Sequence, residues 1–378
     1  MVVLGTRPEA IKLAPVILEC ASRTEIDLAV CSTGQHREML DQVLELFSLE
    51  TTFELDVMRP NQDLAGLTGR LLEGLSRAMG DFEPDVVVVQ GDTTSCFAGS
   101  LAAFYREIPV AHVEAGLRTR RRHSPFPEEV NRRFTGLLAD LHFAPTDLAA
   151  RNLREDAVPH DRVFVTGNTV VDAIEWVAAR QSRVEEDKRL EDWARSELGL
   201  DPARRWVLVT GHRRENLGDA MEDSFTGIRR LVEALPDVEV VYPVHLNPIV
   251  RASADRLLEG CERVRLVEPI DYYQLVYLLR QVQLVITDSG GIQEEAPTFG
   301  KPVLVTRETT ERPEGVDGGV ARLVGTNGTR IFDEAHRLLT DPSAYAEMST
   351  ASNPYGDGRA AKRIADLLIA SGTKPLTS

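Results

Sequence analysis

Short apolar runs alternate along this chain with longer stretches in which apolar positions recur at helical spacing. The runs predict strands at residues 2–4, 27–32, 85–89, 109–113, 141–144 and 163–165 in the first half. In the second half they predict strands at residues 206–209, 239–242, 264–266, 284–286 and 302–305. Apolar runs of this length, separated by amphipathic stretches, predict an α/β fold with parallel sheets. Between the halves, residues 170–200 predict a charged helical region. Its run Arg183-Val184-Glu185-Glu186-Asp187-Lys188-Arg189 reads as a solvated helix face. The pattern predicts two Rossmann-like domains joined near residues 166–175: an N-terminal domain over 1–168 and a C-terminal domain over 169–352. A final segment, 353–378, carries a helix over roughly 358–370 that packs back on the first domain. No repeat is strong enough for a solenoid.

Ligands of open parallel sheets bind at the carboxyl ends of the strands, and those ends are polar here. The first domain offers Gly5-Thr6-Arg7-Pro8-Glu9, Thr33-Gly34-Gln35-His36, Gln90-Gly91-Asp92-Thr93-Thr94 and Glu114-Ala115-Gly116-Leu117-Arg118. The second offers Thr210-Gly211-His212-Arg213-Arg214, Pro243-Val244-His245, Asp288-Ser289-Gly290-Gly291 and the stretch 307–315. Two such rows facing one another predict a central ligand cleft. At the Ser-Gly-Gly turn, Ser289 is expected to cap a helix. The two glycines open its first N–H groups to a ligand, and the helix dipole favours phosphate there. Glu295 lies one turn beyond Gly291, where it reaches ribose hydroxyls. Taken alone, the same turn is an ordinary strand–helix connection.

Size and composition narrow the function classes. The chain has 378 residues, enough for two or three domains of ~150 residues. A net charge of −16 argues against nucleic-acid binding. Cys20, Cys31, Cys96 and Cys261 form no C-x-x-C pair and read as buried free thiols of a reducing compartment. Residues 1–20 are interrupted by Arg7, Glu9, Lys12 and Glu19 and do not read as a signal peptide; no run reaches membrane-spanning length. A cytoplasmic location without membrane partners is expected. Asn327-Gly328-Thr329 reads as a plain turn. Gly356-Asp357-Gly358-Arg359-Ala360-Ala361 follows no strand, so it reads as a helix start and not a dinucleotide fingerprint. There is no Walker A sequence, and no His, Cys or carboxylate spacing that predicts a metal.

Several constellations carry candidate chemistry. Arg7 and Lys12 open the first helix, with Pro8 in its first turn. Asp92 and Glu114 follow neighbouring strands and suit acid–base work, although Asp92 also suits a helix cap. Glu128 and Arg132 are four apart, which predicts a shared helix face. His212 is placed to contact phosphate or move a proton. His245, between two prolines, reads as structural, and His36 and His112 are intermediate.

Taken in order, Gly5-Thr6-Arg7-Pro8-Glu9-Ala10, Gly91-Asp92-Thr93-Thr94, His112-Val113-Glu114-Ala115-Gly116-Leu117-Arg118, Thr210-Gly211-His212-Arg213-Arg214-Glu215, the Ser-Gly-Gly segment and Thr310-Glu311-Arg312-Pro313-Glu314 span nearly the whole chain. The chain closely resembles the bacterial non-hydrolysing UDP-N-acetylglucosamine 2-epimerases. The resemblance implies a GT-B fold, a homodimer, and interconversion of UDP-N-acetylglucosamine and UDP-N-acetylmannosamine without a cofactor. It implies Asp92, Glu114 and Glu128 as acid–base groups. Arg7, Lys12, Arg132 and His212 would bind substrate or stabilise the departing diphosphate. Ser289, Gly290 and Gly291 would cradle phosphate, Glu295 would hold ribose, Arg312 would complete the cleft, and Ile270 and Leu275 would lie near uracil. Gln35, His36 and Gln62 match a second nucleotide-sugar site that activates many members, with Asn61 where some carry arginine. A hydrolysing relative, a GT-B glycosyltransferase and a silent UDP-sugar sensor are the alternatives.

Overall fold

The computed structural model describes residues 1–34, 37–59, 62–211, 218–244 and 247–372. The chain forms two compact units, Met1–Ala173 with Tyr355–Ser378, and Ile174–Pro354.

In the first unit the strands are β1 (Val2–Leu4), β2 (Val30–Ser32), β3 (Phe53–Glu54), β4 (Val87–Gln90), β5 (Val110–Val113), β6 (Leu141–Ala144) and β7 (Val163–Val165). Among the described residues they make one parallel sheet in the order β3-β2-β1-β4-β5-β6-β7. Helices α1 (Arg7–Ala21), α2 (Arg37–Phe47), α3 (Leu64–Phe82), α4 (Thr94–Tyr105), α5 (Glu128–Leu138) and α6 (Asp147–Glu155) connect them. A buried core of Val3, Cys31, Leu71, Leu75, Val87 and Val89 lies between the sheet and its helices. Strand order reverses between β1 and β4, so the segments leaving these strands diverge and open a crevice at their carboxyl ends.

α7 (Thr169–Gln181) leads out of the first unit, and α8 (Val184–Ser196) follows. The second unit has β8 (Arg205–Thr210), β9 (Val238–Pro243), β10 (Val264–Val267), β11 (Leu284–Thr287), β12 (Val303–Val305) and β13 (Ala321–Leu323). Their order, β10-β9-β8-β11-β12-β13, is again parallel and reverses between β8 and β11. Its helices are α9 (Asp219–Ala234), α10 (Pro248–Leu258), α11 (Tyr272–Gln281), α12 (Gly290–Glu295), α13 (Pro313–Asp317), α14 (Gly328–Thr340) and α15 (Pro342–Ser349). The last helix, α16 (Ala360–Gly372), belongs to the first unit.

The apolar runs locate the long central strands, and the parallel α/β architecture is as read. The pattern misses β3 and β13, whose two and three residues are only partly apolar. The glycine-rich Gly356–Gly358 stretch does precede a helix: Asp172 accepts from Ala360 N and Ala361 N at 3.2 and 2.9 Å, satisfying the first turn of α16. The Asn327 triplet is not a plain turn. Asn327 caps α14, its side chain accepting from Arg330 N at 2.9 Å. Among the described residues no helix is long and apolar enough to cross a membrane, and Cys20, Cys31 and Cys96 are buried thiols.

In the second unit α9 and α14 touch through backbone. A Cβ at Gly227 would sit 2.3 Å from the Gly328 carbonyl oxygen, and one at Gly328 would sit 2.1 Å from the Asp223 carbonyl oxygen. Neither neighbour is a flexible side-chain tip. Gly227→Ala is therefore expected to destabilise this unit by about 1–3 kcal/mol in denaturant unfolding; an unchanged midpoint would show that the helices slide apart without cost.

Candidate active site

The first unit gathers its charged groups at the ends of β1, β4 and β5. Thr6 caps α1, and Thr6 and Glu9 form a capping box. Glu9 does more than close that box. Its carboxylate accepts from Gly5 N at 3.1 Å, Thr6 N at 2.8 Å and the Thr6 hydroxyl at 2.8 Å, and from Thr93 Oγ1 at 2.6 Å. Thr93 in turn caps α4 by accepting from Cys96 N at 3.0 Å. One carboxylate thus ties the first turn of α1, which carries Arg7, to the turn that carries Asp92. Burial pushes the Glu9 carboxyl up to about 7, against the opposing pull of the Thr93 and Thr6 hydrogen bonds.

Because Thr93 takes the cap, the Asp92 carboxylate is available for other work. It is ion-paired with Arg132 of α5, and its carbonyl accepts from Asn131 Nδ2 at 3.0 Å. Arg132 is buried and also lies 3.5 Å from the Glu129 carboxylate, which accepts from Thr119 N and Arg120 N at 3.0 and 3.1 Å. The expected Glu128–Arg132 pair is not formed. The guanidinium turns instead toward Asp92, in the turn after β4, and toward Glu129, on the buried face of α5. Glu128, at the first position of α5, keeps one buried carboxylate oxygen with no hydrogen-bond partner.

Glu114 leaves β5 with φ 62°, a left-handed backbone that a non-glycine residue holds only when its surroundings impose it. Its carboxylate is ion-paired with Lys12 and accepts from Gln90 Nε2 at 2.8 Å. The Lys12 and Glu114 side chains are 10% and 7% exposed, so water screens this pair poorly and each charge needs the other. Behind it, His112 Nε2 lies 2.7 Å from the Gly91 carbonyl. Burial lowers the His112 imidazole to about 3 and keeps it neutral, which favours a structural part for it.

The second unit presents its polar groups at the ends of β8 and β11, where the Thr210 and Thr287 hydroxyls meet at 2.6 Å. Ser289 stands at the N-cap of α12, but its side chain makes no capping hydrogen bond. Thr287 Oγ1 instead takes the Ser289 N–H at 2.9 Å, and the cap that the sequence predicted for the Ser289 hydroxyl is absent. Gly290 faces Arg312: a Cβ there would lie 3.2 Å from the guanidinium carbon. Glu294 holds Arg312 Nε at 2.8 Å, and Thr310 donates to Gln293 at 2.7 Å, fixing the 307–312 loop against α12. Burial would raise the Glu311 carboxyl, but the Arg307 hydrogen bonds and charge, with Arg312, outweigh it and hold it at about 2. Glu295 is buried in the last turn of α12. Ile270 and Leu275 are half-buried around the start of α11.

The structure therefore brings Arg7, Lys12, Asp92, Glu114 and Arg132 to neighbouring strand ends of one unit, and Ser289, Gly290, Gly291 and Arg312 to one turn of the other. His212, Gln35 and His36 lie outside the described residues. Gln62 has its side chain engaged, accepting from Arg59 N at 3.2 Å and pairing with Arg70. Sequence reasoning missed Glu9, Gln90, Glu129 and Asn131. Only Glu9 carried a readable signal, the Thr-x-x-Glu spacing of a capping box.

The buried Glu9 carboxyl has a testable linkage. Its pKa is raised from 4.5 to about 7 in the folded chain, so the native state binds the extra proton between these values. The stability it contributes is present at low pH and is lost as pH rises through about 7. Glu9→Gln is expected to flatten the dependence of thermal unfolding on pH between 4.5 and 7. An unaltered slope would assign the titration to another group.

Known proteins match this chain over nearly its whole length. Residues 18–369 match the family model described as UDP-N-acetylglucosamine 2-epimerase. The UDP-N-acetylglucosamine 2-epimerase of Escherichia coli K12 is 50% identical over 368 residues, covering 97% of each chain. That of Yersinia pestis is 51% identical over 364 residues, covering 96% of each. The crystal structure of UDP-GlcNAc 2-epimerase from Neisseria meningitidis bound to UDP-GlcNAc superposes with a TM-score of 0.91 at 45% identity, covering 98% of this chain and 99% of that one. The Methanocaldococcus jannaschii enzyme in complex with UDP-GlcNAc and UDP gives 0.81 at 30% identity, with 98% and 99% covered. The fold class is the GT-B type that the resemblance implied, and the chain belongs to the UDP-N-acetylglucosamine 2-epimerase family.

Proposed function

We propose that the protein interconverts UDP-N-acetylglucosamine and UDP-N-acetylmannosamine by eliminating and re-adding UDP, without a redox cofactor. The C2 hydrogen of this sugar has no adjacent carbonyl, so its direct removal is very difficult. Loss of UDP from C1 as a base takes the C2 proton gives a glycal. Proton delivery to the opposite face of C2, with return of UDP to C1, completes the inversion. Every bond broken is remade, and the electron pair of the C1–O bond leaves and returns with UDP.

The observation that carries this reading is the pair of carboxylates at adjacent strand ends, Glu114 held by Lys12 and Gln90, and Asp92 held by Arg132, with Asn131 fixing the Asp92 backbone carbonyl. These anchors favour defined positions for groups that must meet one carbon from two faces. Glu128, with an unpartnered carboxylate oxygen, is the third acid–base group. Arg7 and His212 are assigned to substrate or the departing diphosphate. In the second unit, the bare first turn of α12 with Arg312 beside it suits the diphosphate, Glu295 the ribose, and Ile270 and Leu275 the uracil. Gln35, His36 and Gln62 are assigned to a second, activating nucleotide sugar. The same reading has the chain working in the cytoplasm as a homodimer.

Incubation with UDP-N-acetylglucosamine alone, followed by NMR, is expected to give UDP-N-acetylmannosamine with the UDP linkage retained. In deuterated solvent the product should carry deuterium at C2. Free N-acetylmannosamine or a C2 without solvent hydrogen would refute the reading. Asp92→Asn and Glu114→Gln are each expected to lower turnover by ~10²–10⁴-fold while largely sparing UDP binding; wild-type turnover in both would remove them from the chemistry.

A further inference from the structure

Three consecutive residues in the turn after β4 are each tied to a different element by a buried side chain. His112 Nε2 of β5 lies 2.7 Å from the Gly91 carbonyl oxygen. Asn131 Nδ2 of α5 donates to the Asp92 carbonyl at 3.0 Å, and Glu9 of α1 accepts from Thr93 Oγ1 at 2.6 Å. His112, Asn131 and Glu9 are all buried. Glu9 also closes the capping box of α1, and Asn131 adjoins Arg132. His112 has no second polar contact of this kind: its Nδ1 is buried without a hydrogen-bond partner. A carbonyl oxygen only accepts, so Nε2 carries the ring proton and donates it to Gly91.

An apolar side chain at this place in β5 would fill the strand without leaving a ring nitrogen unsatisfied. What the imidazole adds is the N–H on the Gly91 carbonyl. Gly91 has φ 71°, and nothing lies within 4 Å of the place a Cβ would take, so packing leaves its peptide room to turn. The Gly91 N–H is fixed on the Val113 carbonyl at 3.0 Å. Its carbonyl, which opens the peptide unit entering Asp92, is fixed by His112, with the weakly donating Cys96 thiol at 3.4 Å. Two residues beyond His112, the chain leaving β5 carries Glu114. β5 therefore carries one carboxylate directly and holds the turn of the other through His112.

We propose that His112 is a positioning residue: by fixing the Gly91–Asp92 peptide it sets where Asp92 stands relative to Glu114, so that both carboxylates can address one carbon of the substrate. The inference rests on the epimerase reading of those two carboxylates. His112 acts through Asp92 and exchanges no proton with the substrate.

The test compares His112→Leu, which removes the donor, with His112→Gln, whose side-chain amide reaches about as far as the imidazole Nε2. His112→Leu should lower kcat by about 10–100-fold, with KM and UDP affinity within about twofold of wild type. His112→Gln should stay within about threefold of wild type in kcat. Both unfolding midpoints should lie within about 4 °C of wild type. A crystal structure of His112→Leu should show the Gly91 carbonyl turned and the Asp92–Arg132 pair opened, and one of His112→Gln should show both in place. Unchanged kcat in His112→Leu, equal losses in the two variants, or an undisturbed Asp92 in the leucine variant would overturn the proposal. So would a leucine variant that does not fold, because the imidazole would then serve the fold and not Asp92. Absence of turnover in the wild type would sink the epimerase reading instead, and the two crystal structures would still decide whether His112 holds the Asp92 turn.

Discussion

The pairing of buried and half-buried charges at the strand ends of the first unit is the constraint on which the rest depends. A carboxylate taken out of water is costly unless a cation and hydrogen-bond donors replace the water. Glu114 meets that demand with Lys12 and Gln90; Asp92, whose side chain is 26% exposed, pairs with Arg132, while Asn131 holds its backbone carbonyl. Each pair joins elements far apart in sequence, so the folded chain fixes where the carboxylates stand. The sheet order supplies the remaining condition. Reversal between β1 and β4 opens space at those strand ends, where a tightly packed connection would otherwise fill it.

Glu9 shows how helix capping and site geometry are coupled. The same carboxylate that satisfies the first N–H groups of α1 also receives the hydroxyl that caps α4. Two helix N-termini therefore share one buried acid, and the turns bearing Arg7 and Asp92 cannot shift independently. The second unit uses a looser device. Its α12 turn has no side-chain cap, and Arg312 is steadied beside it by Glu294. Unmade hydrogen bonds at a helix start are what an incoming anion supplies.

Strand–helix alternation was legible because buried parallel strands need continuous apolar runs. It gave the central strands of both sheets, and the polar segments after them led to Asp92, Glu114 and the Ser-Gly-Gly turn. The edge strands β3 and β13 left too short a signal. Partner choice was less legible than position. Spacing along α5 placed Glu128 and Arg132 on one face, yet Arg132 turns to Asp92, forty residues away in sequence, and to the buried Glu129 one turn back, contacts that the i,i+4 spacing does not contain. Likewise Ser289 stands where a capping serine should, but Thr287 takes its N–H and no side-chain cap forms. Such outcomes depend on tertiary neighbours that no local window contains.

On the proposed route the sugar–diphosphate bond opens reversibly while anchored acids handle the C2 hydrogen. Positional isotope exchange tests it directly. UDP-N-acetylglucosamine labelled with oxygen-18 in the bridge between C1 and the β-phosphorus is incubated with the protein, and the label is located by phosphorus NMR. Migration of label from the bridge to non-bridging β-phosphate oxygens is expected, because freed UDP can rotate before it returns. Complete retention in the bridge of the epimerised product, under conditions where bound UDP can rotate, would contradict it.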